Sequence, residues 1–185
     1  WKYHGNVSAL GTWYDISGNG NHGTLVGNAF VNKDGVNLDG SGDYASVANN
    51  ASLNFGSGSF SINAFVYAYS ATGNQGIVTH RGTSTGTSRY RGYILYLVSG
   101  VPTALVSLDD DGYQEIVSAA SSSVVGGWHF LSYVYTANSS LKLYVDDVLV
   151  SSELVSSTES TSNQSIISIG YKSTTSTTSV NYFDG

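Results

Sequence analysis

Apolar and polar residues alternate along most of this chain with a period of two. Residues 59–64 alternate in this way, and residues 141–146 do so again. Successive side chains of a β-strand point to opposite faces, so this alternation is typical of strands with one buried face. Residues 93–98 and 130–135 are apolar or aromatic on both faces, as in central strands covered on both sides or in strands that carry aromatic residues toward a ligand face. No long segment shows the 3.6-residue period of an amphipathic helix.

Clusters of Gly, Asn and Asp separate these segments at short and regular spacing, for example at residues 33–35, 98–100 and 125–127. Such clusters form tight turns, and the pattern predicts about twelve short strands. Many short strands without helices indicate an all-β fold, a two-sheet antiparallel β-sandwich of the jelly-roll type. The chain contains no linker and no internal repeat, so we expect one domain over residues 1–185.

The composition excludes several classes of function. Seven basic residues stand against thirteen acidic ones, and the only local basic cluster, Arg81, Arg89 and Arg91, is interpreted as a solvated loop. We therefore expect no nucleic-acid binding. The absence of cysteine excludes disulfides and thiolate chemistry, and no apolar run is long enough to predict membrane insertion. Low charge with abundant Ser, Thr and Tyr favours an extracellular, cell-surface or virion-surface location.

A glycine-rich segment, residues 13–24, predicts an ordered loop with positive-φ positions. Its glycine spacing matches a dinucleotide-binding fingerprint, but the strand and helix that this motif requires are missing. Asp15 and Asn19 offer hard oxygen ligands that suit Ca²⁺. The alternative is an Asx-turn network that only satisfies loop amides, and both interpretations stay open. Asp39 with Asp43 is a weaker second candidate for a metal site.

Catalytic patterns are weak in this sequence. Glycoside hydrolases need two carboxylates that converge on one cleft. The chain has three glutamates, Glu115, Glu153 and Glu159, and none belongs to a strand with alternating carboxylates. His80 and His129 have no partner evident from the sequence, and His129 is interpreted as a packed strand residue. We therefore predict that the chain is not an enzyme.

Aromatic residues provide the best sequence signal for sugar binding. The chain contains 14 tyrosines and 3 tryptophans, and aromatic rings stack on sugar faces while tyrosine hydroxyls donate hydrogen bonds. A central strand and its loops could present a group of these rings together with one arginine. The alternative is that most tyrosines pack between the sheets. The candidate ligand-binding residues are Tyr90, Arg91, Tyr93, Tyr96 and Tyr113.

Several motifs resemble the laminin-G-like, concanavalin A-like jelly-roll domains of bacterial and viral surface proteins. The matching segments are residues 15–23, 36–44, 127–130, 141–146 and 183–185. Departures from the family pattern are Phe130 in place of a second histidine and Asp147 in place of a turn glycine.

The resemblance implies that the loop at Asp15 lies against the closing Phe-Asp-Gly segment, which would make Asp184 a third Ca²⁺ ligand. Family members continue into one more strand that pairs near the first strand, here residues 1–3. We expect downstream sequence or a neighbouring subunit to supply that strand.

The resemblance and the residues together favour a non-catalytic glycan-binding or adhesion module of a secreted or surface-displayed protein, with structural Ca²⁺. The expected partners are a glycan or other copies of the chain. One alternative is an assembly module of a virion, tail fibre or extracellular filament. A second alternative is an ancillary domain of a polysaccharide-degrading enzyme.

Overall fold

A computed structural model describes residues 11–82, 90–108, 122–157, 159–171 and 182–185, together with the backbone of residues 114–118. All pairings between its named strands are antiparallel. Its larger sheet has eight strands, in the spatial order β1 (Thr12–Trp13), β2 (Gly23–Val26), β5 (Tyr44–Val47), β14 (Ile167–Ile169), β7 (Asn74–Arg81), β8 (Gly92–Val98), β9 (Val101–Ser107) and β10 (Gln114–Ser118).

The smaller sheet packs against the larger one. Its strand order is β13 (Val148–Leu154), β12 (Ser140–Val145), β11 (Trp128–Thr136) and β6 (Phe60–Tyr67). A short hairpin joins β3 (Phe30–Val31) to β4 (Val36–Asn37), and one turn of 3₁₀ helix covers Ala51–Leu53. The prediction of an all-β, two-sheet antiparallel sandwich is confirmed.

Alternating residues of the two sheets form the core. Leu131, Tyr133 and Tyr135 of β11 point inward from the smaller sheet and are almost fully buried. Leu95 and Leu97 of β8 meet them from the larger sheet. The alternation along the smaller sheet arises because its other face lies toward solvent, whereas β8 is buried on both faces through Leu97.

One polar bond crosses this apolar core. The Tyr133 hydroxyl donates to the backbone carbonyl of Leu105 at 3.0 Å, so a side chain of β11 is tied to the backbone of β9. Burial raises the pKa of the Tyr133 hydroxyl well above its ordinary value, because an anion there would be desolvated. The phenol therefore stays protonated and remains a donor.

The closing segment forms backbone bonds with the chain before β5. Leu38 and Gly185 exchange two backbone hydrogen bonds of 2.9 and 3.0 Å, and Gly40 donates to the carbonyl of Phe183. Asp184 forms an isolated antiparallel bridge with Asp39. The first strand predicted at residues 1–3 lies outside the described residues, so strand addition beside it stays a prediction.

Candidate functional site

A polar cleft of about 450 Å³ opens at one end of the sandwich. Of the described residues that line it, every one except an alanine carries an amide, a hydroxyl or a guanidinium group, and none carries a carboxylate. Pockets that bind small ligands in proteins have volumes of about 300–1,000 Å³, and this cleft falls within that range. The lining residues are Asn49, Ala51, Asn54, Arg91, Ser162, Asn163 and Gln164.

The 3₁₀ turn positions one wall of the cleft. Asn50 caps this turn, since its side-chain oxygen accepts a 2.9 Å bond from the backbone N–H of Ser52. The Nδ2 of Asn54 then donates to the Oδ1 of Asn49 at 2.7 Å and to the carbonyl of Asn50 at 3.2 Å. These bonds fix two amides of the wall against each other.

Asn163 joins this wall to the larger sheet. Its side chain is 2% exposed, and its Nδ2 donates to the Arg91 carbonyl at 3.1 Å. Its Oδ1 accepts from the backbone N–H of Ser165 at 2.8 Å, while its own N–H donates to the Oδ1 of Asn54 at 3.1 Å. A buried amide with its polar groups bonded in this way orders the floor of the cleft.

Tyr90 and Arg91 follow one another at the entrance to β8. Tyr90 has a φ of +64°, and the Arg81 guanidinium lies 5.3 Å from the centroid of its ring. The Nε of Arg81 also donates to the Tyr90 carbonyl at 3.2 Å. Desolvation lowers the pKa of Arg81, with Tyr90 and Tyr96 acting in the opposite direction, yet an arginine stays charged in proteins.

A glycine requirement fixes this entrance. Gly92 has a φ of +131°, and a Cβ there would lie 1.9 Å from the carbonyl oxygen of His80 on β7. No other residue fits that approach, so the turn direction of residues 90 and 91 depends on glycine.

Two of the predicted ligand-contacting tyrosines are core residues. Tyr93 and Tyr96 are 3% and 6% exposed, and the Tyr93 hydroxyl donates to the Leu53 carbonyl at 3.2 Å. Their selection as ligand contacts is corrected to packing, because β8 is covered on both of its faces. Tyr90 and Arg91 adjoin or line the cleft, whereas Tyr113 lies outside the described residues.

His80 lies buried behind the cleft. Its ring meets Tyr93 edge-on at 5.0 Å between centroids, and its backbone carbonyl is 3.5 Å from the Asn163 Nδ2. Desolvation lowers the pKa of His80 to about 4, although the backbone of Ser165 opposes this effect. The imidazole is therefore neutral at physiological pH.

The loop at Asp15 shows an internal hydrogen-bond network. The Asp15 carboxylate accepts from the Ser17 N–H at 2.8 Å, the Ser17 hydroxyl at 2.8 Å and the Asn21 N–H at 2.9 Å. Asn19 donates through its backbone and its amide to the Ser17 hydroxyl. Three donors thus point at the Asp15 oxygens that a cation would need, which is the arrangement expected of an Asx-turn network.

Asp184 lies with the second candidate pair. β2 and β5 are antiparallel, with Gly23 beside Val47 and Val26 beside Tyr44. The Asp15 loop precedes Gly23, whereas Asp39 and Asp43 precede Tyr44, so the two loops leave opposite ends of these strands. The bridge between Asp39 and Asp184 therefore places Asp184 away from the Asp15 loop.

The oxygens of the second pair also hold backbone amides. The Asp43 carboxylate is buried and accepts from the Asn28 N–H at 2.8 Å and the Asp39 N–H at 3.4 Å. Within the described part of the chain, no three His, Cys, Asp or Glu side chains group in a way that could hold a metal ion. Ca²⁺ binding stays a prediction, but Asp184 lies beside Asp39 and not beside Asp15 and Asn19, so these three residues do not form one site.

The outer face of the smaller sheet carries an exposed aromatic strip, formed by Phe65, Tyr67, Tyr69 and Trp128. Phe65 and Trp128 are 65% and 47% exposed and stack at 5.0 Å with an interplanar angle of 6°. Tyr67 lies edge-on to Trp128 and also contacts Tyr69. Large apolar side chains grouped in solvent often mark an interaction surface.

Sequence reasoning missed most of the cleft. Asn49, Asn54, Ser162, Asn163 and Gln164 were not predicted as site residues. The contact that assembles them joins Asn54 to Asn163, which are 109 positions apart. The local signal, two asparagine-containing polar runs outside the strands, does not by itself predict that they meet.

Comparison with known proteins agrees with the architecture. The sequence profile described as the concanavalin A-like lectin/glucanases superfamily matches residues 39–185. No curated protein matches the chain. In the described residues, no helix has the length and apolar character needed to span a membrane.

Solved structures similar to this chain include the binding domain of Paraclostridial Mosquitocidal Protein 1, with 15% identity, a TM-score of 0.69, and coverage of 92% of this chain and 41% of that structure. The receptor binding domain of the botulinum neurotoxin C/D mosaic serotype has 18% identity and a TM-score of 0.67, covering 84% and 40%. The botulinum neurotoxin serotype D ligand binding domain in complex with N-acetylneuraminic acid has 16% identity and a TM-score of 0.69, covering 84% and 39%.

This chain therefore spans about two fifths of those structures, and at these identities the likeness concerns the fold. The superfamily profile covers most of the chain and includes the closing motif. The chain belongs to the concanavalin A-like lectin/glucanases superfamily.

Proposed function

We propose that this chain is a non-catalytic glycan-binding module whose ligand binds in the polar cleft. The observation that carries the proposal is the lining, in which amide, hydroxyl and guanidinium groups converge on one concavity. Sugars present many hydroxyls, each able to donate and accept, and asparagine and glutamine amides offer both complementary functions. Membership of the concanavalin A-like lectin/glucanases superfamily supports carbohydrate binding, as does a similar toxin domain solved with N-acetylneuraminic acid.

The same lining supports a binding role rather than hydrolysis. Hydrolysis of a glycosidic bond needs two carboxyl groups about 5 to 9.5 Å apart around the scissile bond. The side chains that line the cleft in the described residues include no Asp and no Glu. An ordered hydrogen-bonded floor at Asn163 suits selective binding, because little side-chain entropy is lost when a ligand arrives.

A surface location accompanies this proposal. A module that binds glycans meets them on cells, on secreted polymers or on virions, and the superfamily profile and toxin binding domains support an extracellular or surface-displayed role. The low share of charged residues, 11%, agrees with such a location.

Binding to a glycan array tests the proposal. We expect the purified chain to bind at least one glycan, and Gln164→Ala to weaken binding about threefold to tenfold through loss of one hydrogen bond. Gln164 is exposed, so its replacement should leave the melting temperature unchanged. Ser61→Ala, on the exposed face of β6, is the control and should bind like the wild type. The proposal would be contradicted if no glycan on the array bound, or if neither Gln164→Ala nor Asn49→Ala changed the affinity for the bound glycan.

The aromatic strip favours a second function, assembly with other copies of the chain. Exposed stacked rings such as Phe65 and Trp128 are the residue types enriched in the buried centres of protein interfaces. If assembly is the function, sedimentation should show concentration-dependent self-association that Phe65→Ser abolishes. Leu154→Ser, at a more exposed apolar position outside the strip, is the control. A monomer at all concentrations would exclude this second function.

A further inference from the structure

We infer that the cleft binds an acidic sugar, and that Arg91 contacts its anionic group. This inference rests on the proposed function and narrows it to a class of ligand. Its basis is the juxtaposition of one arginine with a wall of neutral amides, in a cavity whose described lining contains no acidic side chain.

The charge of the cleft departs from that of the chain. The protein carries seven Lys and Arg against thirteen Asp and Glu, with a net charge of -6. A generic surface of such a chain repels anions, whereas the described residues that line the cleft carry one positive charge and no negative one. Arg81 adds a second positive charge nearby, because it pairs in register with Gly92, the residue that follows Arg91.

The donor chemistry of the lining matches an anionic group on a sugar. A guanidinium has five N–H donors in a planar fork, so one edge can serve the protein while another binds a ligand carboxylate or sulfate. Asn49 and Gln164 line the same cavity and can bond to neutral hydroxyls of the same sugar. The backbone of Arg91 is fixed at the floor of the cleft, because the Asn163 Nδ2 donates to the Arg91 carbonyl at 3.1 Å.

A neutral sugar uses the amides equally well but makes no use of the positive charge. Charge-assisted hydrogen bonds are about twice as strong as neutral ones, so the arginine favours the charged member of any pair of otherwise identical sugars. The difference in affinity between a charged sugar and its matched neutral form can therefore be measured without knowing the natural glycan.

The experiment uses paired glycans immobilised as an array. Uronic and sialic acid glycans are paired with their methyl esters, and sulfated glycans with their desulfated forms. We expect the wild type to bind the charged member at least about tenfold more tightly than its neutral partner, and added salt to reduce that preference. A preference in the ester pairs identifies a carboxylate as the ligand group, and a preference in the sulfate pairs identifies a sulfate.

Arg91→Gln removes the charge and keeps polar character, and it should abolish the preference for charged glycans. Lys33→Gln is the matched control, since it changes the net charge equally at an exposed lysine outside the cleft. If Arg91→Gln fails to fold, Arg91→Lys serves instead and should lower the preference, since lysine lacks the planar fork.

The possible results distinguish a preference for acidic sugars from glycan binding in general. Equal binding of charged and neutral partners by the wild type, or a preference that survives Arg91→Gln, overturns the inference and leaves glycan binding intact. No binding to any glycan on the array overturns the proposed function, and the inference with it.

Discussion

His129 Nδ1 lies 2.7 Å from Asp146 Oδ2, which ties the start of β11 to the turn between β12 and β13. The second oxygen of Asp146 accepts from the Phe130 N–H at 2.9 Å, and the Asp146 N–H donates to the Phe130 carbonyl at 2.8 Å. The Phe130 N–H first, and His129 second, lower the pKa of the Asp146 carboxyl. His129 thus has a partner in the structure, although the sequence suggested none.

The backbone of the turn beside this pair is strained at Asp147, and a glycine there would relieve the strain. Asp147 has a φ of +64°, a conformation that costs non-glycine residues about 1 kcal/mol or more. Glycine adopts it freely but loses more backbone entropy on folding. We expect Asp147→Gly to raise the free energy of unfolding by up to about 1 kcal/mol, measured by urea denaturation. Asp146→Gly is the comparison and should destabilise, because it removes both carboxylate bonds; a loss of stability in Asp147→Gly would contradict the explanation.

Buried His80 makes stability depend on pH. Its pKa is about 4 in the folded chain against 6.5 in an unfolded one, so the unfolded state binds more protons between these values. Stability should therefore be full above about pH 6.5 and fall as the pH drops toward 4, by up to about 3 kcal/mol from this residue.

His80→Phe tests the origin of that slope. Phenylalanine fills the same space beside Tyr93 and does not titrate, so urea denaturation between pH 4 and 6.5 should show a shallower slope than in the wild type. His129→Gln, at a partly exposed histidine, should keep the steep slope. An unchanged slope in His80→Phe would assign the pH dependence to other groups.

Measurements on the Asp15 loop can decide whether Ca²⁺ or the internal hydrogen-bond network alone holds the glycine-rich segment in place. If Ca²⁺ binds there, added Ca²⁺ should raise the melting temperature of the wild type by mass action, and Asp15→Ala should abolish that response. If the network alone holds the loop, a chelator leaves the melting temperature unchanged. In that case Asp15→Ala lowers the free energy of unfolding by about 1–2 kcal/mol through its three lost bonds.

Among the cleft residues, Asn163 should be the one whose replacement most reduces stability and glycan binding. Its replacement by alanine removes the bonds to the Arg91 carbonyl and the Ser165 N–H and leaves both groups without that partner. We expect Asn163→Ala to cost about 1–3 kcal/mol in urea denaturation and to lose glycan binding at temperatures where the chain is still folded. Wild-type stability in this variant would show that the floor is held by other contacts.

Periodicity predicted the sheets because each strand position faces either the core or solvent. Residues 59–64 and 141–146 alternate for that reason, and the structure has strands at Phe60–Tyr67 and Ser140–Val145. On β8 the sequence predicted a central strand covered on both faces, as the structure shows, and only the choice of Tyr93 and Tyr96 as ligand contacts was wrong. Periodicity specifies a face of a strand, but it does not specify what lies over that face.

The cleft and the acidic bridge depend on pairings that local patterns do not encode. Asn54 meets Asn163 only because the chain before β14 returns to the 3₁₀ turn, and Asp184 meets Asp39 only because the closing segment pairs with the chain before β5. The family resemblance predicted that the closing segment docks against a loop. It selected the Asp15 loop, whereas the structure pairs the segment with the Asp39 loop.

The buried amide of Asn163 has a practical consequence for making this protein. Asn163, Gln164 and Ser165 form an N-glycosylation sequon, and oligosaccharide attachment in a eukaryotic secretory pathway would modify the same Nδ2 that donates to Arg91. A bulky substituent cannot occupy a site that is 2% exposed, so a chain modified there before folding could not close its floor. Production in a bacterial host avoids this modification, and Ser165→Ala removes the acceptor sequence while keeping the backbone N–H that bonds to Asn163.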